Sequence, residues 1–274
     1  MLRTRIITAG VLIAGFLITL FFASTQLWAL ITLWITLLGV WEWSNLIKLN
    51  KVQKISFVAV ASLLGLFLIY ASRTPFAPYQ HPLALGLLGA STLFWMLLAP
   101  IWLVTRKTCN HRLMMSLLGM TLLLATWVGI VGLHGISPWL LLGTIATVSI
   151  ADSAAYFSGK RFGRHKLAPE ISPGKTWEGV AGAMFAVTFF GAVMCYVMQY
   201  SPWLIIGLWL AVVLSIMGDL FESLLKRQAG LKDSGQLLPG HGGVLDRIDG
   251  LIPTLAITLF CIYLPLFARF PVHA

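Results

Sequence analysis

The 274-residue chain contains only 9 acidic residues, and eight of them fall between Asp152 and Asp249. In Gly218–Arg227, GDLFESLLKR, Asp219, Glu222 and Lys226 stand at i, i+3 and i+7, opposite an apolar side of Leu220, Phe221, Leu224 and Leu225. An amphipathic helix with a solvated charged face is one reading. The other is that Asp219, so close to lipid, needs a partner such as a divalent cation. Further on, in KDSGQLLPGHGGVLDRIDG, Asp246 and Asp249 are three apart and share a face if LDRID opens the final helix. Two like charges so placed repel unless a cation lies between them. Oxygen-only donors select a hard ion such as Mg²⁺, usually held by one or two carboxylates together with substrate phosphates. Zinc is not indicated, because His241 has no Cys or His companion nearby in sequence. Gly230, Gly235, Gly240, Gly242, Gly243 and Gly250, with Pro239, mark a loop whose backbone approaches a ligand closely.

A second stretch, SIADSAAYFSGKRFGRHKLAPEISPGKTWEG, supplies chemistry of the complementary sign. Its Gly, Lys, Arg, Ser and Thr residues suit a polyphosphate, since backbone N–H groups, cations and hydroxyls all bind non-bridging oxygens. The nucleotide-binding pattern GxxxxGK[ST] is not matched in full: Pro173-Gly174-Lys175-Thr176 gives its end, but residue 169 is Pro where Gly is required. A soluble-type nucleotide fold is therefore not expected. Asp152 ends an apolar run in this reading, paired with Lys160 or Arg164 or else serving the site.

The elements that must position these residues follow from composition. With 58% hydrophobic and 10% charged residues, the chain is far from the roughly 25% charged residues of soluble domains. Apolar runs without strand alternation predict an all-α polytopic membrane protein of about nine transmembrane helices, at about 6–23, 26–41, 55–71, 84–104, 113–130, 136–152, 180–200, 203–218 and 251–268. The first run reads as an uncleaved helix, not a signal peptide. Cys109, Cys195 and Cys261 have no metal-ligand spacing and read as packing residues. With the N-terminus in the cytoplasm, seventeen of the nineteen Lys and Arg residues lie on the cytoplasmic side and only Arg73 and Arg269 outside. Lys48 to Lys54 and Arg106 to Arg112 then read as topology signals facing anionic headgroups. Residues 1–130 form an N-terminal scaffold for lipid and subunit contact. Residues 131–274 form a catalytic region with cytoplasmic loops at 152–179 and 219–250. The result is a membrane enzyme with a cytoplasmic Mg²⁺ and polyphosphate site. An ion transporter would place acids at mid-span, where this chain has almost none.

Ser223 to Asp249, SLLKRQAGLKDSGQLLPGHGGVLDRID, resembles the signature of the phosphatidate cytidylyltransferases, the CDP-diacylglycerol synthases. The shared features are Ser before Lys-Arg, Lys-Asp with Gly, Pro-Gly-His-Gly-Gly, and the closing Asp-Arg and Asp; ADSAAYFSGKRFGRHKLAPEISPGKTWEG resembles the second family block. The Asp-Gly, Ala-Arg, Gly, Asp, Asp pattern of CDP-alcohol phosphotransferases is absent. The resemblance implies that CTP and phosphatidic acid give CDP-diacylglycerol and pyrophosphate, with Mg²⁺ and K⁺ as a second cation. It also implies a homodimer, with no nucleic-acid partner, in a bacterial cytoplasmic membrane. By analogy Asp219, Asp246 and Asp249 are metal carboxylates, with Glu222 supporting, and Lys226 and Lys175 join the catalytic set. Asp152, Ser172, Thr176, Arg227, Lys232, Asp233, His241, Gly242, Gly243 and Arg247 complete the expected substrate-binding set.

Overall fold

The computed structural model describes residues 2–72, 80–235 and 242–263, with side chains from residue 13 onward and at Gly10. The described residues form the helices α1 (Leu2–Phe22), α2 (Thr25–Leu46), α3 (Lys51–Ala71), α4 (Pro82–Leu93), α5 (Ala99–Thr105), α6 (Arg112–Ile136), α7 (Pro138–Phe162), α8 (Trp177–Met198), α9 (Trp203–Ala229), α10 (Leu245–Ile248) and α11 (Leu251–Tyr263). A π-helical turn at Phe94–Leu98 joins α4 and α5 into one rod. Among the described residues seven helices are long and apolar enough to cross a bilayer: α2, α3, the α4–α5 rod, α6, α7, α8 and α9. Ile13–Phe22 and Leu251–Tyr263 are shorter apolar helices at the places of the first and last expected spans.

Helix ends fall where local chemistry stops them. Asn50 and Gln53 form a reciprocal capping box at the start of α3, and the His111 ring accepts from the Met114 N–H at the start of α6. Gln199 in the left-handed region (φ 56°) ends α8, and Pro202 precedes α9, which fixes the expected break at Gln199–Pro202.

Several expected spans prove longer, the second reaching Leu46 and the fifth Ile136, and two run on by ten residues or more. The sixth, expected to end at 152, runs to Phe162, because Ser153–Arg161 holds no Pro, its one Gly (Gly159) falls only in the last turn, and that turn carries Lys160 and Arg161, which suit the helix C-terminal dipole. Asp152 therefore lies inside α7, not at its end. The eighth continues to Ala229, as the GDLFESLLKR periodicity anticipated, and stops at Gly230 (φ 75°). The long loop expected after Asp152 shrinks accordingly to a two-stranded antiparallel hairpin, β1 (Lys166–Ala168) and β2 (Ser172–Thr176).

Among the spans, α6 and α2 are the most enclosed. Trp43 Nε1 donates to Met115 O and Trp127 Nε1 to Ala29 O, each at 3.0 Å, locking α2 against α6. His134 on α6 bonds Leu20 O at 2.9 Å and stacks on Trp28, which draws in α1. The C-terminal α11 packs on α6, with Thr126 Oγ1 donating to Ile252 O, while Leu255, Ala256 and Leu259 join the same core. A second core of Trp43, Phe94, Trp95, Phe221 and Leu245 seats the C-terminal part of α9 and α10 on α2 and the α4–α5 rod. Helices α3 and α8 leave most of their apolar surface uncovered, as lipid-facing helices do.

Candidate active site

The site begins with a close backbone approach. A Cβ at Gly218 on α9 would strike the backbone oxygen of Asp249 and come within 2.9 Å of Pro253 Cδ. Only glycine lets the turn between α10 and α11 lie this tightly on α9, and that contact sets Asp249 beside Asp219. Gly250 faces Ser215 in the same way, with Ser215 Oγ 2.6 Å from an added Cβ. Ser215 Oγ in turn donates to Asp152 Oδ1 on α7 at 3.4 Å. Thus α7, α9 and the α10–α11 turn bring three carboxylates together.

Lys175 meets them from the hairpin. Its Nζ lies 2.7 Å from Asp219 Oδ2 and 3.5 Å from Ile216 O. The hairpin holds this pose through several ties. Ile171 is buried against Leu220 and Leu224, Trp177 N donates to His165 O, and Glu178 accepts from the His165 backbone and ring. Arg106 pairs with Glu170, fastening the hairpin turn to the end of α5. Thr176 is buried, and its hydroxyl caps α8 by accepting from Gly179 N at 3.1 Å.

Asp219 thus pairs directly with the Lys175 ammonium, and Asp152 and Asp249 lie within electrostatic range of both. Burial, then the neighbouring Asp219 charge, push Asp249 up to about 7, with Asp152 adding to the rise; the Gly250 N–H and Lys175 oppose it. Asp219 also accepts from Ser223 Oγ at 3.2 Å. Asp152's hydrogen-bond partner is Ser215; among the described residues no ion pair joins it to Lys160 or Arg164. Lys160 lies instead over the Tyr156 ring.

One turn further along α9 lies a second, more enclosed cluster. Lys226 Nζ is 2.5 Å from Glu222 Oε2 and 2.6 Å from Asp246 Oδ1; the three side chains are 14%, 4% and 12% exposed. This is no solvated helix face. The Glu222 contact has ion-pair distance without hydrogen-bond alignment, and both Glu222 oxygens are buried without a hydrogen-bond partner. Asp246 is saturated by comparison. Its Oδ1 accepts from Lys226, and its Oδ2 accepts from Gly243 N at 2.8 Å and from Ser234 N at 3.0 Å. Burial alone would raise Asp246, but these donors outweigh it and hold the group down at about 2.

LDRID does not open the final helix. It forms the short α10, and Asp249 and Gly250 form a turn before α11 begins, so Asp246 and Asp249 diverge to the two clusters. Of the other expected residues, Arg227, Lys232, Asp233 and Arg247 are exposed near the clusters' chain segments; Ser172 is half-buried at the start of β2. Gly242 takes φ 82°, and Gly243 is buried against Asp246. His241 lies outside the described residues. One participant escaped the sequence reading: Glu42, the lone acid outside 152–249, accepts hydrogen bonds from Ser234, Val244 and Leu245. Its signal was available, because a single carboxylate near the end of an apolar span demands buried donors.

Among the described residues, no three Asp, Glu, His or Cys side chains close into a preformed metal cage. The sequence matches the cytidylyltransferase family over residues 3–266. The chain belongs to that family. It is accordingly a nucleotidyltransferase, and a multi-pass membrane protein. Within this cytidylyltransferase family it is similar to the phosphatidate cytidylyltransferase of Pseudomonas aeruginosa, at 38% identity over 95% of this chain and 96% of the relative. The phosphatidate cytidylyltransferase of Haemophilus influenzae is 33% identical over 95% of this chain and 97% of the relative. That of Brucella melitensis is 51% identical over a shorter match, 41% of this chain and 42% of the relative.

Proposed function

We propose that this chain transfers CMP from CTP to phosphatidate, giving CDP-diacylglycerol and pyrophosphate, at the cytoplasmic face of a bacterial inner membrane. The observation that carries the reading is the Asp219–Lys175 ion pair with Asp152 and Asp249 in electrostatic range of it, at the base of two projecting helices. Beyond these carboxylates α7 and α9 each continue ten residues, to Phe162 and Ala229. That is about 15 Å of helix at 1.5 Å per residue. A site at this depth is reached by a headgroup from the lipid and by a nucleotide from water.

A divalent cation fits the acidic cluster. Asp219 has Lys175 as its one ion-pair partner among the described residues, and burial, then the Asp219 charge, raise the Asp249 carboxyl beside it. Asp219 and Asp249, with Asp152, would hold Mg²⁺, an ion usually bound by one or two carboxylates together with substrate phosphates. Bound there, Mg²⁺ would neutralise charge on the α-phosphate and on the departing pyrophosphate. In the reaction an oxygen of the phosphatidate monoester bonds to the α-phosphorus of CTP, and the α–β phosphoanhydride bond breaks. The nucleophile is already anionic, its second pKa being near 6, so no strong general base is required. Positioning and charge neutralisation supply the rate. Lys175 orients Asp219, while exposed Arg227, Lys232 and Arg247 offer donors to phosphate oxygens. K⁺ as a second cation, and a homodimer, accompany this reading through the family resemblance.

The test is transfer of radiolabel from [α-³²P]CTP into chloroform-extractable lipid by the purified protein in detergent with phosphatidate and Mg²⁺. Labelled lipid that disappears with EDTA and returns with Mg²⁺ is the expected result. No labelled lipid with CTP, or equal labelling without phosphatidate, refutes the proposal.

A further inference from the structure

Glu42 belongs to α2, in the half of the chain that otherwise lacks acids, and is 1% exposed. Its Oε1 accepts from Val244 N at 3.0 Å, and its Oε2 accepts from Leu245 N at 2.8 Å and from Ser234 Oγ at 3.0 Å. These partners are 192 to 203 residues away in sequence. They lie on both sides of residues 236–241, so one carboxylate ties together two stems of the chain, 234–235 and 242–245. The fit is tight. A Cβ at Gly243 would stand 2.5 Å from Glu42 Oε2, and one at Gly235 would stand 2.7 Å from Glu42 Cδ. Both stems are glycine where the carboxylate passes, because no other residue leaves room for it.

The same stems feed the site. Ser234 N and Gly243 N are the donors to Asp246 Oδ2, and Asp246 Oδ1 takes Lys226. Ser234 Oγ lies 3.0 Å from Glu42 and 3.1 Å from Asp246, and its single proton serves one of them at a time. Asp246 Oδ2 already has two backbone N–H donors, so Glu42 is the more needy acceptor. Leu245 N and Val244 N lie at the start of α10, the helix that leads directly into Asp249. Moving them moves both clusters.

We infer that Glu42 is a positioning residue for nucleotidyl transfer: from the N-terminal half it clamps the loop stems that set Asp246, Lys226 and Asp249. It touches no substrate. The inference deepens the transfer reaction proposed above and rests on it. Misplacement of reacting groups by about 1 Å costs on the order of 100-fold in rate, so the clamp is worth roughly that much in kcat. Glu42→Gln keeps one acceptor oxygen and turns an NH₂ toward a backbone N–H, so it loses part of the clamp; Glu42→Ala loses all of it.

The experiment compares wild type, Glu42→Gln, Glu42→Ala, Ser234→Ala and the Glu42→Gln/Ser234→Ala double variant. The readouts are kcat, KM for CTP, KM for phosphatidate, and the thermal midpoint in detergent. Expected results are kcat losses of about 100-fold for Glu42→Ala and about 10-fold for Glu42→Gln, with KM for phosphatidate within about twofold of wild type. The double variant loses less than the product of its single losses, because both act on one clamp. Should Glu42→Ala fail to fold, Glu42→Gln and Ser234→Ala decide. The inference is overturned by kcat within twofold of wild type in Glu42→Gln, by multiplicative losses in the double variant, or by activity that falls only in step with the amount of folded protein. An inert wild-type chain overturns the functional reading first and this inference with it.

Discussion

Replacing Lys226 by Met keeps the unbranched stem, lacks only its terminal atom, and removes the cation between two enclosed acids. Its ammonium lies 2.5 Å from Glu222 and 2.6 Å from Asp246. At those separations each attraction is about 6 kcal/mol at an effective dielectric of 20, before desolvation is subtracted. Removing one partner of a buried ion pair costs about 3–5 kcal/mol, because the other charge is left uncompensated. Here the strain falls on Glu222: Asp246 retains the Ser234 and Gly243 N–H donors, whereas Glu222 has no hydrogen-bond partner to fall back on. For a chain of this size the loss corresponds to a drop in thermal midpoint of roughly 6–20 °C. The assay is thermal unfolding in detergent followed by fluorescence of the 11 tryptophans, with CTP-dependent transfer measured on the same samples. Adding Glu222→Gln to Lys226→Met removes both charges and returns the midpoint to within about 3 °C of wild type, while kcat stays low. A Lys226→Met midpoint within 2 °C of wild type, or a double variant less stable than the single one, would refute the reasoning.

Asp249→Asn is expected to lower kcat by at least about 100-fold and to remove Mg²⁺ stimulation while membrane insertion, followed by fractionation, stays intact; a tenth of wild-type kcat retained would contradict this. Gly218→Ala places a methyl group against the Asp249 backbone, where no side chain can yield. A cost of about 1–3 kcal/mol and a loss of turnover should follow, and unchanged midpoint and kcat would show that α9 and the turn are not so closely packed. For Asp246 the folded pKa, about 2, is below the ordinary 3.8. Its contribution to stability is therefore present above pH 3.8 and lost as pH falls through about 2. The stability deficit of Asp246→Asn should narrow between pH 4 and pH 2, and a deficit constant across that window would sink the assignment.

Much was legible in the chain itself, because the bilayer leaves few alternatives. A run of about twenty apolar residues in lipid must be helical, since no water is present to satisfy its backbone. The boundaries at Gln199–Pro202 and Gly230 follow from residue types alone. The clustering of acids after Asp152 likewise marked where buried partners had to lie, since a carboxylate near lipid persists only with a partner.

Which acid met which partner was decided by tertiary packing. Sequence spacing paired Asp246 with Asp249, yet the turn at Asp249–Gly250 sends one to Lys226 and the other to Asp219. Lys175 reaches Asp219 only because Ile171 seats the hairpin on α9. Glu42 stands about 200 residues from the loop it holds, and no local pattern connects them. Local sequence determines periodicity, breaks and membrane depth because those depend on near neighbours. Contacts between distant segments depend on how glycine faces and tryptophan anchors bring whole helices together, and only the folded chain records that.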